Sequence, residues 1–148
     1  MKILMERPKL SQRRPLELLL NGNKAAIVPE GDGVNAAVHL GEEIWTFRET
    51  GRTEAGEKIY DVSHAGGSEV LYGPRPEDTR HLLRMESEEL MIESAMGQSG
   101  MVQYQGRVAG ETKTTGFLFR TFWEMTIDTD EIPAPVLAGM MYIFWHTF

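Results

Sequence analysis

Residues that could bind a metal or act as nucleophiles are few in this chain and poorly spaced for either role. No histidine lies four residues from another, the spacing that places two imidazoles on one helical face beside a metal ion. Cysteine is absent, which excludes a thiol nucleophile and a zinc–thiolate centre. The histidines are His39, His64, His81 and His146. We therefore predict no metal ligand and no cofactor.

Two further groups begin a catalytic pattern without completing it. Gly97-Gln98-Ser99 starts like a nucleophile elbow, but Met101 stands where the elbow needs its second glycine. A run of carboxylates could supply a general acid and base, although such runs are usually solvated faces. Its members are Glu86, Glu88, Glu89 and Glu93. We predict no catalytic residue, and an enzyme of unidentified reaction is kept only as an alternative.

The first 14 residues carry the clearest charge pattern. They hold five basic residues against Glu6 alone, a balance of +4, whereas residues 15–148 hold ten basic and 21 acidic residues, a balance of −11. The acidic body should repel nucleic acid and anionic membranes at long range. The basic arm could contact an anion or an anionic lipid, or it could simply be solvated. The candidate contact residues are Lys2, Arg7, Lys9, Arg13 and Arg14.

Short strand-like segments recur about every 8–12 residues between glycine-rich turns, a spacing typical of β-sandwiches and barrels. Residues 16–20 and 24–28 read as a hairpin around Asn21-Gly22-Asn23. Residues 34–48 are predicted to be extended. The aromatic residues Trp45, Tyr104, Phe117 and Trp123 are predicted to be core residues, of which one or two could line a ligand cavity.

Other segments are less regular in sequence. Residues 77–85 fit a short helix or, from His81 onward, a strand. Residues 109–115 are polar and are predicted to form a loop. Residues 117–127 are rich in aromatic residues and predict one or two strands.

The last segment predicts a helix that is buried on every face. Residues 136–145 are apolar without interruption, and Pro133 and Pro135 suit a helix start. Ten helical residues span about 15 Å, half of a bilayer core of about 30 Å. We therefore expect a core helix enclosed by a barrel and no transmembrane span. A membrane-inserting tail and a buried strand are the alternatives.

About the last 30 residues of the chain resemble the end of a tubby C-terminal-like domain. The likeness lies in a strand with arginine and aromatic residues (residues 119–123), an acidic turn (residues 128–131) and the closing apolar helix. Residues 56–62 resemble the recurrent strand motif of this superfamily, which also contains the phospholipid scramblases and the LURP-one-related proteins. Trp145-His146 departs from the apolar–Asp pair that often ends the family helix. No residue matches the basic phosphoinositide pocket of tubby proteins.

The resemblance implies a closed antiparallel β-barrel around a central C-terminal helix, and a non-enzymatic domain that is often membrane-linked or regulatory. Together with the residue patterns, it predicts a mainly β protein with a basic arm (residues 1–14) and one barrel domain (residues 15–148). We expect a cytoplasmic binding or regulatory domain, peripheral at a membrane, with anionic lipid or a protein as its partner and no nucleic acid. A small-molecule carrier of the lipocalin-like barrel type is the first alternative.

Overall fold

Twelve strands and one helix make up the protein in the computed structural model, which describes residues 1–8, 14–31 and 33–147, and only the backbone of Phe117. The helix, α1, spans Ala134–Thr147. The strands are β1 (Lys2–Glu6), β2 (Leu16–Leu20), β3 (Asn23–Pro29), β4 (Ala36–Leu40), β5 (Glu43–Arg52), β6 (Lys58–His64), β7 (Gly67–Tyr72), β8 (Leu83–Met85), β9 (Leu90–Ala95), β10 (Ser99–Tyr104), β11 (Arg107–Phe117) and β12 (Arg120–Ile127).

The strands form one closed barrel in which every strand pairs antiparallel with its neighbours in sequence. The barrel closes because β1 pairs with β12 on one side and with β2 on the other, for example with Ile3 opposite Met125 and Leu20. Closure gives each of the described strands a partner on both sides, and the pairing is shortest at β8, which pairs with β7 and with β9 at two residues each. The predicted mainly β class, with a closed antiparallel barrel enclosing a C-terminal helix, is confirmed.

Helix α1 fills the barrel. Its residues from Pro135 to Phe144 are all buried, and it contacts several strands of the wall, including β1, β4 and β12. Gly139 lies so close to the ring of Phe47 that a methyl group in its place would overlap the ring. The predicted core helix is therefore confirmed, apart from residue 148, which lies outside the described residues. No helix in the described ranges is long and apolar enough to cross a bilayer.

The direction of α1 distinguishes the two ends of the barrel. The start rim carries the turns after β2, β4, β6, β8 and β10, together with the segment that leads into α1. The end rim carries the turns after β1, β3, β5, β7, β9 and β11. The C-terminal end of α1 reaches this second rim, where Nε2 of His81 lies 3.1 Å from Oγ1 of Thr147.

The predicted loop at residues 109–115 is wrong, because β11 runs through it from Arg107 to Phe117. The polar composition of this segment suggested a loop, but its Thr112 is an inward-facing residue of a strand in the barrel wall. Thr112 is fully buried, accepts a hydrogen bond from the indole Nε1 of Trp145 at 3.0 Å, and donates one to the Glu124 carbonyl at 2.8 Å. The single hydroxyl of this side chain thus both donates and accepts a hydrogen bond inside the wall.

Two other segments contain shorter strands than their sequence patterns predicted. Residues 34–48 contain β4 and the first part of β5, joined by a turn in which Gly41 has a φ of 60°. Residues 77–85 contain no helix, and only Leu83–Met85 is a strand. The barrel wall supplies pairing partners on both sides of this short strand, which explains why it forms despite its length.

The first part of the predicted basic arm is a strand of the barrel. Ile3 and Met5 face the core with no exposed surface, while Lys2 and Glu6 alternate toward the outside. This alternation is the period of two that a half-buried strand requires. Lys2–Glu6 therefore lies in the wall as β1.

Candidate functional site

The five predicted contact residues do not form one cluster. Lys2 is exposed near the start rim, with Nζ 3.7 Å from the Glu124 carboxylate. Arg7 follows β1 at the end rim, where its backbone N–H donates to the Thr121 carbonyl at 2.8 Å and its side chain is exposed. Arg14 is exposed just before β2, also toward the end rim. Lys9 and Arg13 lie outside the described residues.

Arg120 is a further cation on the same part of the end rim as Arg7, and the sequence did not single it out. Its guanidinium lies 2.8 Å from the Glu6 carboxylate and remains largely exposed. This pair links β12 to β1 across the seam that closes the barrel. A single exposed ion pair contributes little to stability. Within the part of the chain that the structure describes, Arg7 and Arg14 form no ion pair, so two of the three arginines are unneutralised.

The turn between β11 and β12 presents two large apolar side chains to solvent. Leu118 and Phe119, which we call the hairpin tip, have φ values of 47° and 66°. Leu118 is 72% exposed, and Phe119 is fully exposed. Both residues were predicted to lie in a strand region, because neither is a glycine or an asparagine, the residues that usually mark such a turn. Residues 117–120 therefore contain no turn signal that could have identified the hairpin tip.

The β11–β12 hairpin also extends beyond the neighbouring part of the wall. The last pairing of β11 with β10 joins Lys113 to Ser99, whereas the pairing of β11 with β12 continues to Phe117 and Arg120. Four further residues of an extended strand span about 13 Å. The hairpin tip therefore stands away from the adjoining β9–β10 turn.

At the start rim, a cavity of about 500 Å³ opens beside the first turn of α1. Trp45, Met85, Tyr104 and Val136 are among its apolar and aromatic lining residues. Trp45 and Tyr104 are thus aromatic residues that line a cavity, as the sequence analysis allowed. Trp123 packs in the core against Trp145, with ring centroids 6.0 Å apart.

His64 is held rigidly at the side of this cavity. Its ring stacks on Trp45 with centroids 3.8 Å apart, and its Nδ1 accepts the backbone N–H of Gly66 at 3.0 Å. In the neutral ring this contact places the proton on Nε2. The imidazole is therefore oriented by neighbouring groups and forms part of the cavity wall.

The edge of the cavity is acidic. Glu69, Glu89 and Glu131 lie around it. Desolvation raises the pKa of Tyr104, and the nearby Glu131 and Glu89 carboxylates raise it further. The cavity can accept a small molecule, but this arrangement presents no nucleophile next to a base. Ser99, the candidate from the incomplete elbow motif, donates to the Met96 carbonyl at 2.8 Å in a turn.

The remaining histidines are distributed over the molecule. His39 lies on β4, whereas His81 and His146 lie near the C-terminal end of α1. Among residues 1–8, 14–31 and 33–147, no three side chains of the types that usually bind metals come together. The carboxylates at 86, 88 and 89 surround the exposed β8–β9 turn, and Glu93 accepts a hydrogen bond from Gln103 at 2.6 Å.

Comparison of the chain with protein-family models, curated proteins and solved structures finds no significant match. The geometry offers two candidate sites of different character. One is the end rim, where the apolar hairpin tip lies near exposed arginines. The other is the cavity at the start rim.

Proposed function

We propose that the chain is a tubby-like, non-catalytic binding domain that attaches peripherally to an anionic membrane. The observation that carries this proposal is the filled barrel. Ten consecutive residues of α1, from Pro135 to Phe144, are buried within the wall, so a partner is met at the outer surface and the rims. A lipocalin-like carrier instead needs an open interior.

The tubby-like assignment is supported by agreement between two independent features. About the last 30 residues resemble that superfamily, and the fold implied by the resemblance is a closed antiparallel barrel around a C-terminal helix. The strand order and the buried α1 have this architecture. A non-enzymatic role follows from the same resemblance.

The anionic membrane is supported by the distribution of charge. Arg7, Arg14 and Arg120 lie toward one end of a barrel whose residues 15–148 have a balance of −11. The acidic surface disfavours a face-on approach to an anionic bilayer, so the end rim is the face that can approach it. Each basic residue near such a surface contributes about 1 kcal/mol, within a Debye length of about 10 Å. The proposal places the protein in the cytoplasm, because the cytoplasmic leaflet carries anionic lipid.

Vesicle co-sedimentation tests the proposal. Phosphatidylcholine vesicles with and without phosphatidylserine are compared at low and high salt. We expect binding only with phosphatidylserine and loss of binding at high salt. Arg7→Glu or Arg14→Glu should weaken binding by roughly fivefold or more, since about 1 kcal/mol per basic residue corresponds to that factor.

Point substitutions are needed because deletion of residues 1–14 would remove β1 and open the barrel. Lys24→Glu is the matched control, since Lys24 is exposed on β3 near the start rim. Equal sedimentation with neutral and anionic vesicles would contradict the electrostatic attachment. A loss with Lys24→Glu as large as with Arg7→Glu would show that net charge, and not the end rim, controls binding.

A small-molecule carrier is the second candidate, and the start-rim cavity favours it. A volume of about 500 Å³ lies within the usual range for ligand sites, about 300–1,000 Å³. Ligand screening by intrinsic fluorescence tests this function, because Trp45 lines the cavity. Binding of one ligand per chain that is lost on Tyr104→Ala, with unchanged thermal stability, would favour the carrier over the membrane domain.

A further inference from the structure

The hairpin tip has a sequence that its backbone conformation disfavours. A two-residue hairpin loop with positive φ at both positions is the type I′ arrangement, which favours asparagine and glycine. Leucine and phenylalanine rarely adopt positive φ, because their Cβ atoms crowd the backbone. Natural chains break such local rules mainly at functional sites. Folding alone therefore does not explain Leu118 and Phe119.

The surroundings of the tip do not bury these apolar side chains either. Phe119 has no contact that reduces its exposure, and Leu118 retains 72% of its accessible surface. The hairpin extends about four residues beyond the last β10 partner, which places the tip about 13 Å past the adjoining β9–β10 turn. On its other side, β1 pairs with β12 as far as Glu6 opposite Phe122. Both apolar side chains are thus displayed on a projection.

Cations lie at the base of this projection. Arg120 directly follows the tip and is paired with the Glu6 carboxylate at 2.8 Å. The backbone N–H of Arg7, which forms no ion pair with a described residue, donates to the carbonyl of Thr121, one residue further along β12. Apolar side chains at the tip, with guanidinium groups behind them, have the same order as the acyl chains and phosphates of an anionic bilayer. The apolar groups enter the boundary of the acyl chains, while the arginines remain at the level of the phosphates.

We infer that Leu118 and Phe119 insert into the boundary between headgroups and acyl chains of an anionic bilayer, with Arg7 and Arg120 at the phosphates. This inference rests on the proposed function and names its contact element. A folded protein partner is a poorer match, because a specific protein interface buries about 800 Å² on each side. Two side chains on a narrow hairpin supply only a small part of that area.

The test replaces the tip by residues that its backbone favours. The double variant Leu118→Asn/Phe119→Gly should melt no lower than the wild type, since asparagine and glycine suit positive φ. Its binding to vesicles containing phosphatidylserine should nevertheless fall roughly tenfold or more, because apolar burial is lost. The binding that remains should still weaken as salt is raised, because the variant retains the arginines.

Val108→Asn is the matched control. Val108 is also an exposed apolar residue of β11, but it lies near the start rim at the other end of the strand. Its substitution should leave vesicle binding unchanged. Equal losses in the control and the tip variant would contradict a specific role of the tip.

A second measurement reports depth directly. Phe119→Trp places an indole at the tip, and phosphatidylserine vesicles carrying spin-labelled acyl chains should quench its fluorescence and shift its emission to shorter wavelength. The wild-type protein, which has the same three native tryptophans, gives the background. Absence of additional quenching in a bound Phe119→Trp protein would exclude insertion.

The outcomes separate this inference from the proposed function. If the wild type binds anionic vesicles and the tip variant binds equally well, membrane attachment stands and insertion of the tip is overturned. If the wild type binds no vesicles, both fail. If the wild type binds neutral and anionic vesicles equally through the tip, insertion stands and the electrostatic attachment is overturned.

Discussion

At the scale of single residues, Tyr60 is the buried polar group with the least support. Its side chain has no exposed surface, and its hydroxyl has no hydrogen-bond partner among the residues that the structure describes. Burial raises the pKa of Tyr60 to about 12, and Glu49 contributes in the same direction. The folded protein therefore strongly favours the neutral phenol.

We predict that Tyr60→Phe leaves stability unchanged or raises it by about 1 kcal/mol near neutral pH, since removal of an unsatisfied buried hydroxyl relieves its desolvation. The wild type should also lose stability as pH rises from about 10 to about 12, because the unfolded chain releases this proton first. The full loss is about 2–3 kcal/mol. Urea unfolding at about pH 8 and pH 11 measures both effects. The same alkaline loss in both proteins would exclude Tyr60 as its source.

At the scale of elements, the sequence predicted those whose pattern is set locally. The closing helix was evident from ten uninterrupted apolar residues, and the β2–β3 hairpin from Asn21 and Gly22. β11 was missed because Thr112 is compatible with the interior only through its hydrogen bonds to Trp145 and the Glu124 carbonyl. These partners are distant in sequence, so no local pattern contains them.

The candidate site was also only partly predictable, for a related reason. Arg7 and Arg14 were identified by charge alone. The hairpin tip was not identified, because the positive φ of Leu118 and Phe119 follows from the pairing of Phe117 with Arg120 and not from turn-forming residues. Leucine and phenylalanine are not residues that favour this turn, so the sequence contained no turn signal at these positions.

The C-terminal end of α1 combines two opposing electrostatic effects. The helix dipole favours a cation there. Desolvation nevertheless lowers the pKa of His146, whose Nδ1 lies 2.8 Å from the Tyr142 carbonyl, and it also lowers the pKa of His81 although Asp78 acts in the opposite direction. Desolvation therefore outweighs the Tyr142 carbonyl at His146 and the Asp78 carboxylate at His81, and the pKa of each ring is lowered.

The folded protein thus disfavours protonated His81 and His146, while the unfolded chain binds those protons readily. Stability should rise with pH up to about 6.5 and fall as pH drops below it. We predict a lower thermal midpoint at about pH 5 than at about pH 7, with a smaller difference in His81→Gln/His146→Gln. His39→Gln is the control, since His39 lies on β4, away from the end of α1. An unchanged acid shift in the double variant would exclude these two rings.

At the scale of the whole molecule, the two ends of the chain complete the barrel together. β1 occupies the gap between β2 and β12, and α1 fills the interior that the closed wall creates. Ile3 and Met125 are paired across 122 residues of sequence. Periodicity can identify β1 as a strand, but it cannot reveal such a distant partner. This explains why the N-terminal residues were interpreted as an arm from their charge.

The final prediction is that removal of all residues after Pro135 abolishes folding. The lost segment contains several large side chains with no exposed surface: Leu137, Met140, Met141, Ile143 and Phe144. Each contributes about 1.5–3 kcal/mol on burial, and the total stability of a domain is about 5–15 kcal/mol. Loss of this group should exceed that total and leave a wide barrel without a core.

Circular dichroism and urea unfolding of the truncated chain provide the measurement, and a point variant separates the helix from the effect of chain length. Met140→Asp forces a carboxylate into the filled interior, where it must protonate or disrupt its surroundings. Met96→Asp makes the same change in the β9–β10 turn, where the side chain is 97% exposed. We expect a large loss of stability in the first and almost none in the second. A truncated chain that remains soluble and unfolds cooperatively would show that the twelve-stranded wall is stable without α1, and would reopen the barrel interior as a ligand site.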